Sequence, residues 1–289
     1  MKRVLPAWTK TVVGLALTAG LWGQAAQAVC GDAADACRIE NGSYHIVMPS
    51  APTTDGDAIP ALMFLHGWGS SGQGTLNMRG MVEAALARGY AVIAPDGTPR
   101  EGRNGRSWGF MPDRPGPRDE IAFLRAVRDD AVARHGIDGG RMLLGGFSIG
   151  GSMVSYLACA DPSSFAAYGP VAGAFWHPLP ADCAGPVDLF HTHGWTDGVV
   201  PLEGRILGGA DSLDDEGEFA QADVWRAMAI WRAANGCRSN ASRYSETGIF
   251  WRRGWDCDSG RQLDFALFNG GHAVPEGWTA MALDWFEAL

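Results

Sequence analysis

The chain has 289 residues, of which 46% are hydrophobic, and a formal net charge of -9 at pH 7. This length and apolar content are typical of one large α/β domain with a sizeable core. The acidic balance argues against nucleic acid or anionic lipid as a partner, because a negatively charged surface attracts neither.

Residues 1–28 have the pattern of a secretory signal peptide. A basic start precedes an apolar run over residues 11–23, and residues 26–28 form an Ala-x-Ala cleavage site. The apolar run is short for a membrane span, so an uncleaved anchor is the weaker interpretation. We therefore expect cleavage after Ala28, a secreted or periplasmic protein, no membrane contact after cleavage, and one folded domain over residues 29–289.

All six cysteines follow the expected cleavage site. An even number in an exported chain indicates disulfides, although the connectivity cannot be deduced from sequence alone. We favour the pairing between sequence neighbours: Cys30–Cys37, Cys159–Cys183 and Cys237–Cys257. No Cys-x-x-Cys pair and no cysteine–histidine cluster indicates zinc, so we expect neither a metal nor a cofactor.

Taken in chain order, the remaining sequence alternates between predicted strands and predicted helices. Strands are predicted at residues 43–48, 61–65, 90–94, 165–173, 187–191, 243–251 and 262–269, with one more directly before Ser148. Helices are predicted at residues 78–88, 118–135, 152–160, 220–234 and 278–289. Short continuous apolar runs such as 61–65 are typical of parallel strands buried on both faces. The pattern predicts a single doubly wound α/β domain, with a mostly parallel sheet and helices on both faces.

Two predicted loops interrupt this alternation. Residues 98–116 are rich in Gly, Pro and Arg, and a loop of this length in a compact domain is often functional. The sequence leaves open whether this loop closes over a site. Residues 202–217 are acidic and are expected to be an exposed loop.

The pentapeptide Gly146-Phe147-Ser148-Ile149-Gly150 matches Gly-x-Ser-x-Gly, the nucleophile elbow. Such a serine sits at a sharp turn between a strand and a helix, so its neighbours two residues away must be small. The alternative is a glycine-rich loop that arose by chance in a chain with 40 glycines. A buried-looking strand before the motif and a helix after it favour the elbow.

A serine nucleophile needs a base and an acid that orients the base. In proteins with a nucleophile elbow, the acid follows the serine in the chain, and the histidine follows the acid. Only His272 follows a late predicted strand and every acid candidate, and it lies in a glycine loop. Asp197 is our preferred acid because it comes just after a predicted strand end. Its rivals lie in the acidic loop: Asp211, Asp214 and Asp215.

The oxyanion formed by acyl transfer needs backbone N–H donors. We expect these from Ile149, directly after the serine, and from Trp68, in the loop after the strand at 61–65. His66 and Gly67 would position that loop. His191 and His193 could be read as a pair of metal ligands, but no third ligand is evident.

Three tryptophans lie on loops at predicted strand ends and are candidates for an acyl or aromatic pocket: Trp108, Trp176 and Trp195. Ordinary packing is the alternative for each of them.

Several motifs together resemble the polyhydroxybutyrate depolymerase and feruloyl esterase family of secreted α/β-hydrolases. They are Leu65-His66-Gly67, Ala94-Pro95-Asp96-Gly97, the elbow at 146–151, the run from His193 to Pro201, Asn235-Gly236-Cys237 and Gly270-Gly271-His272. The resemblance implies an α/β-hydrolase catalytic domain over 29–289 and a serine esterase with Ser148 as nucleophile, Asp197 as acid and His272 as base. It also supports the Cys237–Cys257 disulfide.

The expected substrates are polyhydroxyalkanoate-type oligomers or related short esters, with a feruloyl or acetyl-xylan esterase as the alternative. The chain departs from the family pattern after the histidine, where Ala273-Val274-Pro275 replaces the frequent Trp-Pro-Gly. We expect neither a linker nor a separate binding domain, which would favour soluble esters over solid polymer. A serine peptidase and a catalytically silent binding protein are the remaining hypotheses. The sequence does not predict the oligomeric state.

Overall fold

A ten-stranded sheet lies at the centre of the structure, a computed structural model that describes residues 1, 30, 35–50, 58–207 and 219–289. Most of the expected signal peptide and the rival acids Asp211, Asp214 and Asp215 lie outside the described residues.

The described residues form these strands: β1 (Cys37–Ile39), β2 (Gly42–Val47), β3 (Ile59–Leu65), β4 (Ala91–Pro95), β5 (Thr98–Pro99), β6 (Arg106–Ser107), β7 (Ile137–Phe147), β8 (Ala167–Val171), β9 (Leu189–Gly194), β10 (Arg205–Leu207), β11 (Phe219–Gln221), β12 (Arg243–Thr247), β13 (Phe250–Trp255) and β14 (Leu263–Phe268). The helices are α1 (Gly72–Leu76), α2 (Arg79–Ala87), α3 (Glu120–His135), α4 (Ile149–Ala160), α5 (Val224–Asn235) and α6 (Trp278–Glu287). The large sheet has the strand order β1-β2-β4-β3-β7-β8-β9-β14-β13-β12.

The middle of the sheet, from β4 to β14, is parallel, and antiparallel strands flank it on both sides. Every residue of β4, β9 and β14 is buried, as expected for parallel strands covered on both faces. Two separate hydrophobic clusters flank the sheet. One includes residues of α3, α4 and α5, and the other includes residues of α1, α2 and α6. The predicted doubly wound α/β domain is therefore confirmed.

The structure differs from the predicted elements in several places. The strand predicted at 243–251 is a hairpin of β12 and β13, because Gly248 adopts a left-handed conformation with φ 60° and turns the chain. The helix predicted at 152–160 begins earlier, at Ile149, directly after the elbow serine. The prediction missed β1, α1 and the two-stranded sheet of β10 and β11, which begins in the loop expected at 202–217.

Three disulfides join Cys30 to Cys37, Cys159 to Cys183 and Cys237 to Cys257, the pairs favoured from the sequence. The second ties the C-terminal part of α4 to the segment before β9. The third joins the residues that follow α5 and β13. Among the described residues, no helix combines the length and the apolar character needed to cross a membrane.

Candidate active site

Ser148 occupies the turn between the end of β7 and the start of α4. Its φ of 58° and ψ of -123° are unusual for a residue with a side chain, and such backbone strain is concentrated at functional sites. The Ser148 N–H donates to the Val171 carbonyl oxygen of β8 at 2.9 Å, which fixes the turn against the sheet.

The motif glycines are required by close backbone contacts. A Cβ atom on Gly146 would lie 2.6 Å from the Gly150 carbonyl oxygen, on the other side of the turn. A Cβ atom on Gly150 would lie 2.5 Å from the Leu65 carbonyl oxygen at the end of β3. Both distances are below any ordinary contact, so this strand–serine–helix turn needs glycine at both positions.

Ser148, His272 and Asp197 form a continuous hydrogen-bonded chain. The His272 Nε2 lies 2.8 Å from the Ser148 Oγ, and its Nδ1 lies 2.7 Å from the Asp197 Oδ2. The three residues follow β7, β14 and β9 respectively, so they meet at the carboxyl edge of the parallel strands. The structure therefore brings together the serine, acid and histidine that the sequence predicted.

The Asp197 carboxylate is buried, and both of its oxygens accept hydrogen bonds. Its Oδ1 accepts hydrogen bonds from the backbone N–H groups of Val199 and Val200, both at 2.8 Å. Burial raises the pKa of Asp197, but the hydrogen bonds from His272, Val200 and Val199 outweigh it, and the pKa lies below its ordinary value. The group therefore stays ionised at neutral pH, the state needed to stabilise a positively charged His272.

The loop after β3 lies beside the serine. A Cβ atom on Gly67 would lie 3.6 Å from the Ser148 Cβ. The Gly67 carbonyl oxygen accepts from the Ser70 N–H at 3.2 Å and lies 2.8 Å from the His66 Nδ1. Because the C=O and N–H of a trans peptide point in opposite directions, the Trp68 N–H points away from His66. The Ile149 N–H is the first of α4, and such N–H groups have no partner within their own helix.

The segment predicted as a surface loop at 98–116 is bonded to this loop. The Gly69 N–H donates to the Arg106 carbonyl oxygen at 2.8 Å, and the Arg106 N–H donates to the Ser70 carbonyl oxygen at 3.0 Å. The Trp108 indole donates to the His66 carbonyl oxygen at 2.9 Å. Residues 106–108 therefore hold the backbone of residues 66–70 in place.

The three tryptophans predicted for a pocket have different environments. Trp108 and Trp176 are buried in the core, and Trp176 lies 3.4 Å through its Nε1 from the Ser152 Oγ. Trp195 is 57% exposed. The Phe147 ring contacts His272 instead, with 4.7 Å between the two ring centroids. Its place beside the serine in the elbow motif was the only sequence signal for this contact.

His66 is a buried neutral histidine. Its Nε2 accepts from the Gly97 N–H at 3.0 Å, so its Nδ1 carries the hydrogen that is donated to the Gly67 carbonyl oxygen. Burial lowers the pKa of His66 from 6.5 to about 4, and the hydrogen bond to Gly67 offsets only part of this effect. The sequence predicts a positioning role for His66, but no pattern in it indicates the protonation state of this histidine.

We expect His66 to make the protein less stable on acidification. Between pH 6.5 and about 4 the unfolded chain binds a proton at His66 that the folded chain does not, so the free energy of unfolding falls as the pH is lowered. At pH 5 the loss from this residue is about 2 kcal/mol relative to pH 7. Urea unfolding of the wild type and His66→Gln at several pH values measures it. The variant should show the shallower pH dependence, and equal slopes would contradict the interpretation.

One group of described side chains has the types and spacing of metal ligands: Cys30, Cys37 and His135, whose ligand atoms lie within 4.8 Å of one another. The two cysteines are joined in a disulfide, which leaves them no thiolate for a metal. His191 and His193, considered as metal ligands from the sequence, are buried and lie against each other, with 3.0 Å between His191 Nε2 and His193 Nδ1.

Comparison with known proteins gives three findings on sequence. Residues 42–190 match the family described as esterase PHB depolymerase. "Putative esterase NocK" of Nocardia uniformis subsp. tsuyamanensis is 31% identical over 170 residues, which are 57% of this chain and 47% of that protein. "Probable feruloyl esterase C" of Aspergillus niger is 24% identical over 158 residues, 53% of this chain and 50% of that protein. The chain thus spans about half the length of these curated relatives.

Among solved structures, an acetyl xylan esterase from Aspergillus awamori superimposes with a TM-score of 0.63. The two sequences are 14% identical, and the match covers 86% of this chain and 95% of the other. At this identity the likeness establishes the fold alone. It confirms the α/β-hydrolase fold that the family resemblance implies.

Proposed function

Because the chain belongs to the esterase PHB depolymerase family, we propose that it hydrolyses carboxylic esters through an acyl-enzyme formed on Ser148. The observation that carries this proposal is the hydrogen-bonded chain from Ser148 through His272 to Asp197, with distances of 2.8 and 2.7 Å, on a strained elbow. This geometry is that of a serine nucleophile, its base and the acid that orients the base.

In the first half of the reaction the Ser148 Oγ attacks the ester carbonyl carbon, and His272 takes the serine proton. The carbonyl oxygen becomes an oxyanion, which the N–H groups of Trp68 and Ile149 stabilise. The bond to the alcohol oxygen then breaks, and His272 gives its proton to the leaving alkoxide. Asp197 remains ionised throughout and stabilises the positively charged imidazole.

In the second half a water molecule attacks the acyl-enzyme. His272 takes the water proton, the same N–H groups stabilise the second oxyanion, and the bond from the acyl carbon to Ser148 breaks. The proton on His272 returns to the Ser148 Oγ. The products are the alcohol and the carboxylic acid, and the serine is regenerated. The reaction therefore balances without a cofactor or a metal.

The same proposal includes export and domain organisation. Residues 1–28 act as a cleaved signal peptide, and residues 29–289 form the catalytic domain. The three disulfides support an oxidising compartment, secreted or periplasmic, because disulfides persist there and are rare in a reducing cytosol.

For the substrate we propose polyhydroxyalkanoate-type oligomers or related short esters. The alternative, a feruloyl or acetyl-xylan esterase, is supported by the names of one relative and of one structural neighbour. We propose that an aromatic group one helical turn from Ser148 lies beside the acyl group. It consists of the buried Trp176 and the half-buried Phe110 and Phe219, with ring centroids 4.8 Å from Trp176 to Phe219 and 6.0 Å from Trp176 to Phe110. Ser152, which lies one turn along α4 from the serine, contacts Trp176 and connects this group to the elbow.

A panel of esters tests the proposal. We expect p-nitrophenyl butyrate to be hydrolysed, and 3-hydroxybutyrate oligomers to give a higher kcat/KM than methyl ferulate. A preference for methyl ferulate or for acetylated xylan oligosaccharides would favour the alternative. Hydrolysis of none of these esters by the folded protein would contradict the esterase proposal as a whole.

A further inference from the structure

Two buried histidines lie behind the candidate acid and have no part in the proposed reaction. His191 and His193 both belong to β9, and their spacing of two residues places them on the same face of the strand. His191 is 1% exposed and His193 is not exposed at all. Their rings are parallel within 11°, with centroids 5.3 Å apart. Most buried polar side chains have at least one hydrogen-bond partner.

The contacts define which nitrogen carries hydrogen. The His193 Nε2 lies 2.7 Å from the Val200 carbonyl oxygen, which can only accept, so this nitrogen is the donor. The His193 Nδ1 is then an acceptor in the neutral ring, and the His191 Nε2, 3.0 Å away, donates to it. Burial lowers the pKa of both histidines, and for His193 it outweighs the opposing effects of Val200 and Asp197. Both rings are therefore neutral.

His193 is connected to the candidate acid Asp197 in two ways. The His193 Nε2 lies 3.5 Å from the Asp197 Oδ2, the oxygen that also receives the hydrogen bond from His272. The Val200 carbonyl bonded to His193 belongs to the turn whose N–H groups, from Val199 and Val200, hold the Asp197 Oδ1. His193 thus contacts both the carboxylate and the turn that fixes it.

We propose that His193 is a positioning residue for Asp197, and that His191 keeps it in the neutral tautomer that this role requires. His193 restrains the turn through the Val200 carbonyl and presents an N–H dipole, without a full charge, to the carboxylate. The carboxylate keeps its charge for His272. The inference rests on the proposed function, since it assigns to Asp197 the role of the triad acid.

A double-mutant cycle tests this role. His193→Phe keeps a ring of similar size but removes the donor to Val200, and we expect kcat for p-nitrophenyl butyrate to fall about 100-fold, the scale of a misplaced catalytic group, with KM unchanged. In an Asp197→Asn background the same substitution should cost less than about 3-fold, because residues that act as a unit are not additive. A merely structural role would cost the same factor in both backgrounds and would overturn the proposal.

A second variant keeps the test decisive if His193→Phe fails to fold. His193→Gln retains a side-chain N–H that can donate to the Val200 carbonyl, so we expect it to keep at least a tenth of the wild-type kcat. A His193→Gln variant that folds but loses as much kcat as Asp197→Asn would contradict the assignment. His135→Phe is the matched control, since this half-buried histidine at the end of α3 contacts Cys37 and Tyr44 instead of the triad. It should leave kcat unchanged in both backgrounds.

The outcomes separate this inference from the proposed function. Hydrolysis that survives Ser148→Ala would remove the esterase proposal and this inference with it. Hydrolysis that depends on Ser148, together with equal costs in both backgrounds of the cycle, would remove the inference alone.

Discussion

Ser148→Ala is expected to lower kcat for p-nitrophenyl butyrate by about 10⁶-fold, the scale on which loss of a serine nucleophile acts. Among the described residues, this hydroxyl is the one group that lies both on the elbow and within 2.8 Å of the His272 Nε2. Without it no acyl-enzyme can form, and only the oxyanion donors and substrate binding remain. Initial rates at saturating substrate, compared with those of the wild type, measure the effect.

The variant should keep the fold, because Ala adds no atoms at a position that already holds a side chain. Ser163→Ala is the matched control: Ser163 is exposed and follows α4, and its hydroxyl donates to the Asp161 Oδ1 at 3.4 Å. It should retain wild-type kcat. Activity of Ser148→Ala within tenfold of the wild type would exclude Ser148 as the nucleophile.

His272→Ala is expected to cost nearly as much as loss of the serine, because a serine hydroxyl without its base is a weak nucleophile. His272 is the only described residue that bridges the serine and the acid, with 2.8 Å to the Ser148 Oγ and 2.7 Å to the Asp197 Oδ2. Asp197→Asn should cost less, about 10⁴-fold, since the base survives in a poorer orientation. Steady-state kinetics of the two variants with the same ester measure this order.

The double variant Ser148→Ala, His272→Ala provides the control for a shared role. Its kcat should be about that of Ser148→Ala alone, because neither residue contributes without the other. A further loss of several orders of magnitude in the double variant would mean that His272 acts independently of Ser148. That result would contradict the proposed division between nucleophile and base.

The parallel core and the meeting of Ser148, Asp197 and His272 could be predicted because both follow from local patterns and one topological rule. Continuous apolar runs predicted β3 and β4, and the elbow motif predicted the turn at Ser148. Asp197 and His272 are 75 residues apart. Both come just after parallel strands, however, and the carboxyl ends of such strands meet at one edge. Chain order and strand ends were therefore enough to select them.

Other features depend on contacts that no local pattern reports. The Trp108 indole is buried because its partner is the His66 carbonyl oxygen, 42 residues earlier in the chain. A bulky ring on a loop is equally compatible with a pocket and with packing, so the sequence left its role open. The histidine pair in β9 posed the same problem, because nothing near it in sequence indicates that the Val200 carbonyl is its acceptor.

The polar edge of the sheet was hard to predict for a different reason. Every residue of β12 is exposed, so it shows no alternation of apolar and polar residues that would separate it from the next strand. The two strands of this hairpin were predicted as one. The turn at Gly248 became evident only from its backbone conformation.

The central claim is that Ser148 becomes covalently acylated, and labelling with a fluorophosphonate tests it most directly. The probe phosphonylates a serine, with loss of fluoride, only where a base and oxyanion donors activate the hydroxyl. We predict one adduct per chain by intact mass, located by fragmentation to Ser148 in the tryptic peptide spanning residues 142–205, and none in Ser148→Ala. Labelling of Ser148→Ala to the wild-type extent, or no adduct on folded wild-type protein that hydrolyses p-nitrophenyl butyrate, would contradict the account.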